Sequence, residues 1–243
     1  MKAGTGHSME TRRYWNYAMV AGLLTLAASL WLFSLFPSDF AKPSTEFRDP
    51  IVAFEFAQTK QDLLEIFGAA GDPARLRRQD AMDEGHRADW AFLILYNLFI
   101  ASFFVALYKR TGRKLMLAGV AVAAIAALGD IWENSVLREL TWQLENPDTL
   151  LLVLSKATWV KWGALGFGAG LCAYGFYKDG RYILALTAVP GALMVVPAFL
   201  EPRLCATILA DAIGLWFLVM LMGAFLYARN SHEYQEPVAE HCH

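Results

Sequence analysis

The chain has 243 residues, of which 56% are hydrophobic and 18% are charged, and its formal net charge is −2 at pH 7. A charge this close to zero excludes the broad basic surface that binding to nucleic acid requires. The three cysteines are too few and too scattered for a disulfide-stapled secreted domain. Apolar residues this frequent, gathered in long runs, are typical of a small helical membrane protein.

Six apolar segments approach the roughly 20 residues that a helix needs to cross the hydrocarbon core of a bilayer. They are residues 14–36, 90–108, 115–132, 157–177, 182–200 and 206–227. None of them shows the alternating pattern of a membrane β-barrel strand. The sequence therefore predicts an all-α, polytopic membrane protein with a bundle of six transmembrane helices.

Lysine and arginine in short loops indicate which side of the membrane is cytoplasmic. If the chain crosses six times, one side receives Lys2, Arg12, Arg13, Lys109, Arg110, Arg113, Lys114, Lys178, Arg181 and Arg229. The long loop 37–87 on the opposite side is net acidic. We therefore expect both termini to be cytoplasmic, in a plasma or inner membrane, and the first segment to be a retained span.

These patterns divide the chain into a cytoplasmic N-terminus (1–13), a first transmembrane helix (14–36), an extracytoplasmic helical loop (37–89), a bundle of five further transmembrane helices (90–229) and a flexible cytoplasmic tail (230–243). Within the loop, Thr59 and Asp62 match a capping box, and Gly68 can end the helix that follows. This amphipathic helix is expected to form a cap on the outer side of the bundle. Asp72 and Pro73 favour the start of a long helix that continues into the second segment.

Small residues predict which helices are neighbours. Gly119, Ala123 and Ala127 recur every four residues in the third segment, and Gly166 and Gly170 form a GxxxG motif in the fourth. Small residues let helix backbones approach closely in lipid. The third and fourth segments are therefore expected to pack against each other.

Polar residues in four of the segments fall at a similar depth below the outer face. Asp130, Glu133 and Asn134 share one helix face, since positions i, i+3 and i+4 are neighbours. Lys161 on the adjoining segment is the natural counter-ion for the two carboxylates, and Arg138 extends the same stripe towards the surface. Charge inside hydrocarbon is costly, so charges that converge at one level indicate a site. The predicted binding-site residues are Asp89, Tyr96, Asp130, Glu133, Asn134, Lys161 and Asp211.

Each of these residues also has a purely structural interpretation. Lys161 and its carboxylates can form an ion pair that locks two helices, and Asp211 can bond to a neighbouring helix or lie at a wet rim. Asp89 can be solvated at the boundary, and Tyr96 can be a packing residue. Two groups of residues have side chains that can bind a metal: His86 with Asp89, and the terminal His241-Cys242-His243. Neither group matches a recognised metal site. We expect no metal and no cofactor.

Three functions follow from this pattern. The first is a pocket, level with the outer leaflet, that binds or processes a membrane lipid or an amphiphilic small molecule. The second is a non-catalytic subunit that docks into a larger membrane protein assembly. The third is a proton-coupled transporter or channel, although the inner half of the segments is interrupted only by Asn97, Ser102 and Thr187. Whether the chain is an enzyme stays open, because no nucleophile or phosphate-loop motif is present.

Overall fold

The computed structural model describes residues 4–42 and 46–230, with side chains described for 11–42 and 46–229. Most of these residues are helical, and no strand is found among them. The helices are α1 (Gly4–Phe33), α2 (Pro50–Glu55), α3 (Lys60–Phe67), α4 (Arg75–Thr111), α5 (Ala118–Trp142), α6 (Asp148–Lys178), α7 (Tyr182–Leu193), α8 (Val195–Leu200) and α9 (Pro202–Asn230). The predicted flexible tail, including His241-Cys242-His243, lies outside the described residues beyond Asn230.

Among the described residues, six helical stretches are long and apolar enough to cross a membrane, which confirms the all-α prediction of six such helices. They are Thr11–Phe33, Arg75–Thr111, Lys114–Trp142, Asp148–Lys178, Tyr182–Leu200 and Pro202–Arg229. The fifth stretch is interrupted at Met194, between α7 and α8. Pro197 has no N–H to donate to the carbonyl of Leu193, so the regular hydrogen-bond ladder is interrupted there.

The long helix predicted after Asp72 and Pro73 is present as α4. The Asp72 side chain accepts a 2.7 Å hydrogen bond from the backbone N–H of Ala74, just before the helix begins. At its other end, Gly112 adopts a φ of 67°, and its N–H donates to the carbonyl of Tyr108 at 2.8 Å. The helix has 37 residues. It is therefore about 55 Å long, which exceeds the thickness of a hydrocarbon core of about 30 Å.

The two short helices α2 and α3 pack against the charged half of α4 and the end of α5. The capping box is formed as predicted: Thr59 Oγ1 accepts from the Asp62 N–H at 3.2 Å, and Asp62 Oδ2 accepts from the Thr59 N–H at 2.9 Å. Gly68 ends α3 with a φ of 100°. Phe54 and Leu63 are fully buried in a cluster that also contains Leu137. This cluster fixes α2 above the ends of α5 and α6.

Helices α5 and α6 are neighbours, as the small residues predicted, but a different glycine makes the closest approach. A Cβ added to Gly129 would lie 2.7 Å from the backbone nitrogen of Lys161. Gly119 instead faces the ring of Phe104 on α4, and Gly166 faces Val195 on α8. The close contact at Gly129 sets Lys161 directly opposite the polar face of α5.

Candidate functional site

A cavity of about 390 Å³ lies between α1, α2, α4, α5, α6 and α9. Most of its wall is apolar and comes from α1, α4 and α9. One end is polar and is lined by Glu55, His86, Asp89, Tyr96, Asp130, Asn134 and Lys161. The cavity therefore combines an apolar body with a polar end. Its volume falls near the lower limit of the ~300–1,000 Å³ typical of small-molecule sites.

Lys161 is the centre of the polar end. Its side chain is only 8% exposed, and its Nζ lies 3.1 Å from Glu55 Oε1 and 3.6 Å from Asp130 Oδ1. It also pairs with Glu133, whose side chain is fully buried. The expected pairing of Lys161 with Asp130 and Glu133 is present in the structure. Three carboxyl groups around one ammonium leave the cluster richer in acid than in base.

Two of the other sequence-predicted residues join this cluster through hydrogen bonds from α4 and α5. The hydroxyl of Tyr96 donates to Asp130 Oδ2 at 2.7 Å. The side-chain amide of Asn134 donates to Asp89 Oδ2 at 2.5 Å. Tyr96 is buried and Asp89 is half-buried. These bonds fix the carboxyl groups of Asp89 and Asp130 at the cavity wall.

Glu55 is a member of the site that sequence reasoning missed. Trp162 Nε1 donates to its Oε2 at 3.0 Å, and Thr158 Oγ1 donates to its backbone carbonyl at 3.0 Å. Burial raises the pKa of the Glu55 carboxyl above its ordinary value of 4.5, while the nearby ammonium of Lys161 opposes the shift. The available signal was a carboxylate inside the apolar run from Ile51 to Phe56, which is unusual for a solvated loop.

His86 is the second residue that was not assigned to the pocket. Its side chain is 1% exposed, and its ring lies between those of Phe36 and Phe54, at centroid distances of 5.3 and 5.9 Å. Neither ring nitrogen makes a hydrogen bond of good geometry within the described residues, although the side chain of Asn134 lies close to the ring. The amide of Asn134 beside it donates to Asp89. Burying an imidazole without a hydrogen-bond partner is costly. Because this ring lies on the cavity wall, a polar group inside the cavity could bond to it.

Asp211 and Arg138 lie apart from the cluster. The side chain of Asp211 is 61% exposed and pairs with Arg48, whereas its helix neighbours Ala210 and Gly214 line the cavity. Adjacent positions on a helix point in directions about 100° apart, so a residue at the correct depth can still face away. Arg138 pairs with Asp83 at 3.2 Å rather than with Glu133.

The polar end can accept hydrogen bonds and positive charge far better than it can supply them. Among the described residues, its one cationic side chain is that of Lys161, which is already surrounded by carboxyl groups. Within the described ranges, no three His, Cys, Asp or Glu side chains are grouped so that they could hold a metal ion. No protein-family model, curated protein or solved structure matches this chain.

Proposed function

We propose that this chain is an integral membrane protein whose cavity binds a lipid or a small amphiphile. The observation that carries the proposal is the cavity itself, in which an apolar wall from α1, α4 and α9 meets a polar end around Lys161. An amphiphile has the same division into an apolar chain and a polar head. A volume of about 390 Å³ suits a single chain better than a lipid with two chains.

Exposed apolar side chains on the α1 and α9 walls support entry of a chain from the side of the bundle. Three residues of the cavity wall are also exposed: Leu26 (38%) and Phe33 (63%) on α1, and Leu218 (51%) on α9. At the far end of the cavity, Gly22 on α1 lies against Leu221 and Phe99, which closes the gap. A chain could therefore enter sideways from hydrocarbon without crossing water.

The proposed placement puts the polar end at the level of the outer leaflet, with both termini in the cytoplasm of a cell that holds the protein in its plasma or inner membrane. The distribution of lysine and arginine supports this orientation. In this arrangement α2 and α3 form the extracytoplasmic cap, and α2 contributes Glu55 to the polar end. A headgroup would then lie at its normal depth while bound.

The packing below the cavity gives no support to a transport function. Gly119 faces the ring of Phe104, and Gly168 is covered by Trp216 and Val122. The core at this level is filled by aromatic side chains, among which Phe99 and Phe103 are fully buried. A docking subunit is not favoured by a specific feature either, because exposed apolar side chains are what contact with lipid requires.

The proposal is tested by filling the cavity mouth. Gly214 lines the cavity, and a Cβ added there meets no atom within 4 Å. A Gly214→Leu side chain should therefore occupy the mouth without disturbing the fold. We expect a dodecyl amphiphile brominated next to its head to quench tryptophan fluorescence saturably in the wild type, because Trp162 lines the wall beside the polar end. Gly214→Leu should weaken this binding at least about tenfold.

Gly163→Leu is the matched control. Gly163 is also a helical glycine with open space at its Cβ position, but it lies outside the cavity lining. It should bind the probe like the wild type. Probes with amine, hydroxyl, carboxylate and phosphate heads should all be tested. If none of them binds saturably, or if Gly214→Leu binds as well as Gly163→Leu, the proposed function is wrong.

A further inference from the structure

The polar end of the cavity contains more acidic groups than basic ones. Glu55, Asp89 and Asp130 line it, and Glu133 contacts Lys161 from behind the wall. In the part of the chain that the structure describes, Lys161 is the one cationic side chain of the lining. The nearest arginines do not correct this balance. Arg87 and Arg138 both pair with Asp83, at 2.6 and 3.2 Å.

An excess of buried carboxyl groups must be neutralised, because an uncompensated charge in a low-dielectric site is costly. Two agents can do this: protons held by the carboxyl groups, or a positive charge brought by a ligand. Hydrogen bonds from Tyr96 and Asn134 stabilise Asp130 and Asp89 without adding charge. The cavity beside them is the space from which a cation could approach.

His86 provides an independent indication that a ligand group belongs here. It lines the cavity and is 1% exposed, and both of its ring nitrogens lack a hydrogen-bond partner among the described residues. In its neutral form, the imidazole of His86 has one nitrogen that accepts a hydrogen bond and one N–H that donates. A ligand head with N–H donors would satisfy the acceptor at the same end of the cavity as the carboxyl groups.

We infer that the amphiphile bound in this cavity carries a primary ammonium head, held by the carboxyl groups of Glu55, Asp89 and Asp130 and by His86. This inference rests on the proposed function and specifies the class of its ligand. An ammonium group has three N–H donors and one positive charge. It therefore supplies a counter-charge to the carboxyl groups and a hydrogen-bond donor to the imidazole. A phosphate or carboxylate head would face like charge, and a hydroxyl head would leave the charge imbalance unchanged.

The test compares heads on one chain. Brominated dodecylamine, dodecanol, dodecanoate and dodecyl phosphate are titrated into the full-length protein in nanodiscs, with empty nanodiscs as background. A charge-assisted hydrogen bond in a buried site is strong enough for about a tenfold preference. We therefore expect the amine to bind at least about tenfold more tightly than the alcohol, and the two anions to bind most weakly.

Asp89→Asn measures the contribution of one carboxylate. The substituted amide oxygen can still accept from Asn134, so the fold should be kept while one negative charge is removed. The preference for amine over alcohol should fall about tenfold. Asp80→Asn removes the same charge from an exposed position on the same helix and should leave the preference unchanged.

The outcomes separate the two proposals. In one outcome, binding is saturable and Gly214→Leu abolishes it, but the alcohol or an anion binds as tightly as the amine. This outcome overturns the ammonium head and still supports the amphiphile pocket. If the amine is preferred, a titration with lysophosphatidylethanolamine identifies the source of the ammonium. Tight binding of that lipid points to a phospholipid head and exclusive binding of dodecylamine to a simple alkylamine, and both results support the inference.

Discussion

Lys161 shows how a single residue determines the character of the site. Its ammonium is the cation that Glu55, Asp130 and Glu133 share, and it is almost completely buried. The sequence was sufficient to predict two of these partners, because Asp130 and Glu133 lie on one face of a continuous helix. Glu55 was missed because it belongs to a separate short helix, whose position depends on packing between parts of the chain that are distant in sequence.

Removing the ammonium of Lys161 should destabilise the protein strongly. In Lys161→Met the three carboxyl groups lose their counter-ion, and breaking a buried ion pair from one side typically costs about 3–5 kcal/mol. The free energy of unfolding in detergent, followed by circular dichroism against denaturant, measures this loss. Lys156→Met removes a lysine from an exposed position on the same helix and should change stability little. Equal stability of the two variants would show that the cluster does not depend on Lys161.

At the scale of helices, the register between α5 and α6 brings the polar residues together. Gly129 is one position before Asp130, and the backbone of Lys161 packs on it directly. The stripe of small residues indicated that these helices are neighbours. It did not identify the contact, because Gly119 faces α4, Gly166 faces α8 and Gly170 faces α7. The spacing of residues in the sequence shows which of them share one face of a helix. Which neighbouring helix that face contacts depends on how all the helices pack.

Gly129→Ala should separate α5 and α6 at the site. The new Cβ would lie 2.7 Å from the Lys161 backbone nitrogen, and backbone cannot move aside as a flexible side chain can. Overpacking of this kind typically costs about 1–3 kcal/mol. Gly163→Ala, where the Cβ meets nothing within 4 Å, should be neutral or stabilising by up to about 1 kcal/mol. Thermal unfolding of the two variants side by side provides the measurement. The close packing is not needed if Gly129→Ala unfolds at the wild-type temperature.

For the whole molecule, the number of membrane-spanning helices and the distribution of positive charge together predict an orientation. If all six long apolar helices of the described residues cross the membrane, both ends of the chain are expected on the same side. The last turn of α4 and the loop that follows it carry four of the positive charges, and the segment that contains α2 and α3 is expected on the other side. This orientation decides whether the proposed ligand would come from the outer or the inner leaflet.

Cysteine accessibility tests the orientation. The three native cysteines are replaced by alanine, and a single cysteine is introduced at Gln61 or at Arg113, both of which are exposed. A membrane-impermeant maleimide should label Gln61→Cys in intact cells or spheroplasts, and Arg113→Cys only after permeabilisation. The reverse pattern would place the polar end of the cavity at the inner leaflet.

The sequence by itself determined the features that depend on short stretches of chain. These are the six apolar helices, the capping box at Thr59, the long helix after Asp72 and the shared face of Asp130 and Glu133. Hydrophobic length, helix caps and helical periodicity are local properties, so they can be read without knowing which helices meet.

Only the tertiary structure decided which side chains line the cavity. It brought in Glu55 and His86, added α1 to the wall and turned Asp211 away towards Arg48. Each of these outcomes depends on the rotation of a helix about its own axis or on the docking of a short helix between distant elements. Such positions are fixed by side-chain packing across the whole bundle, and residue spacing along one segment carries no information about them.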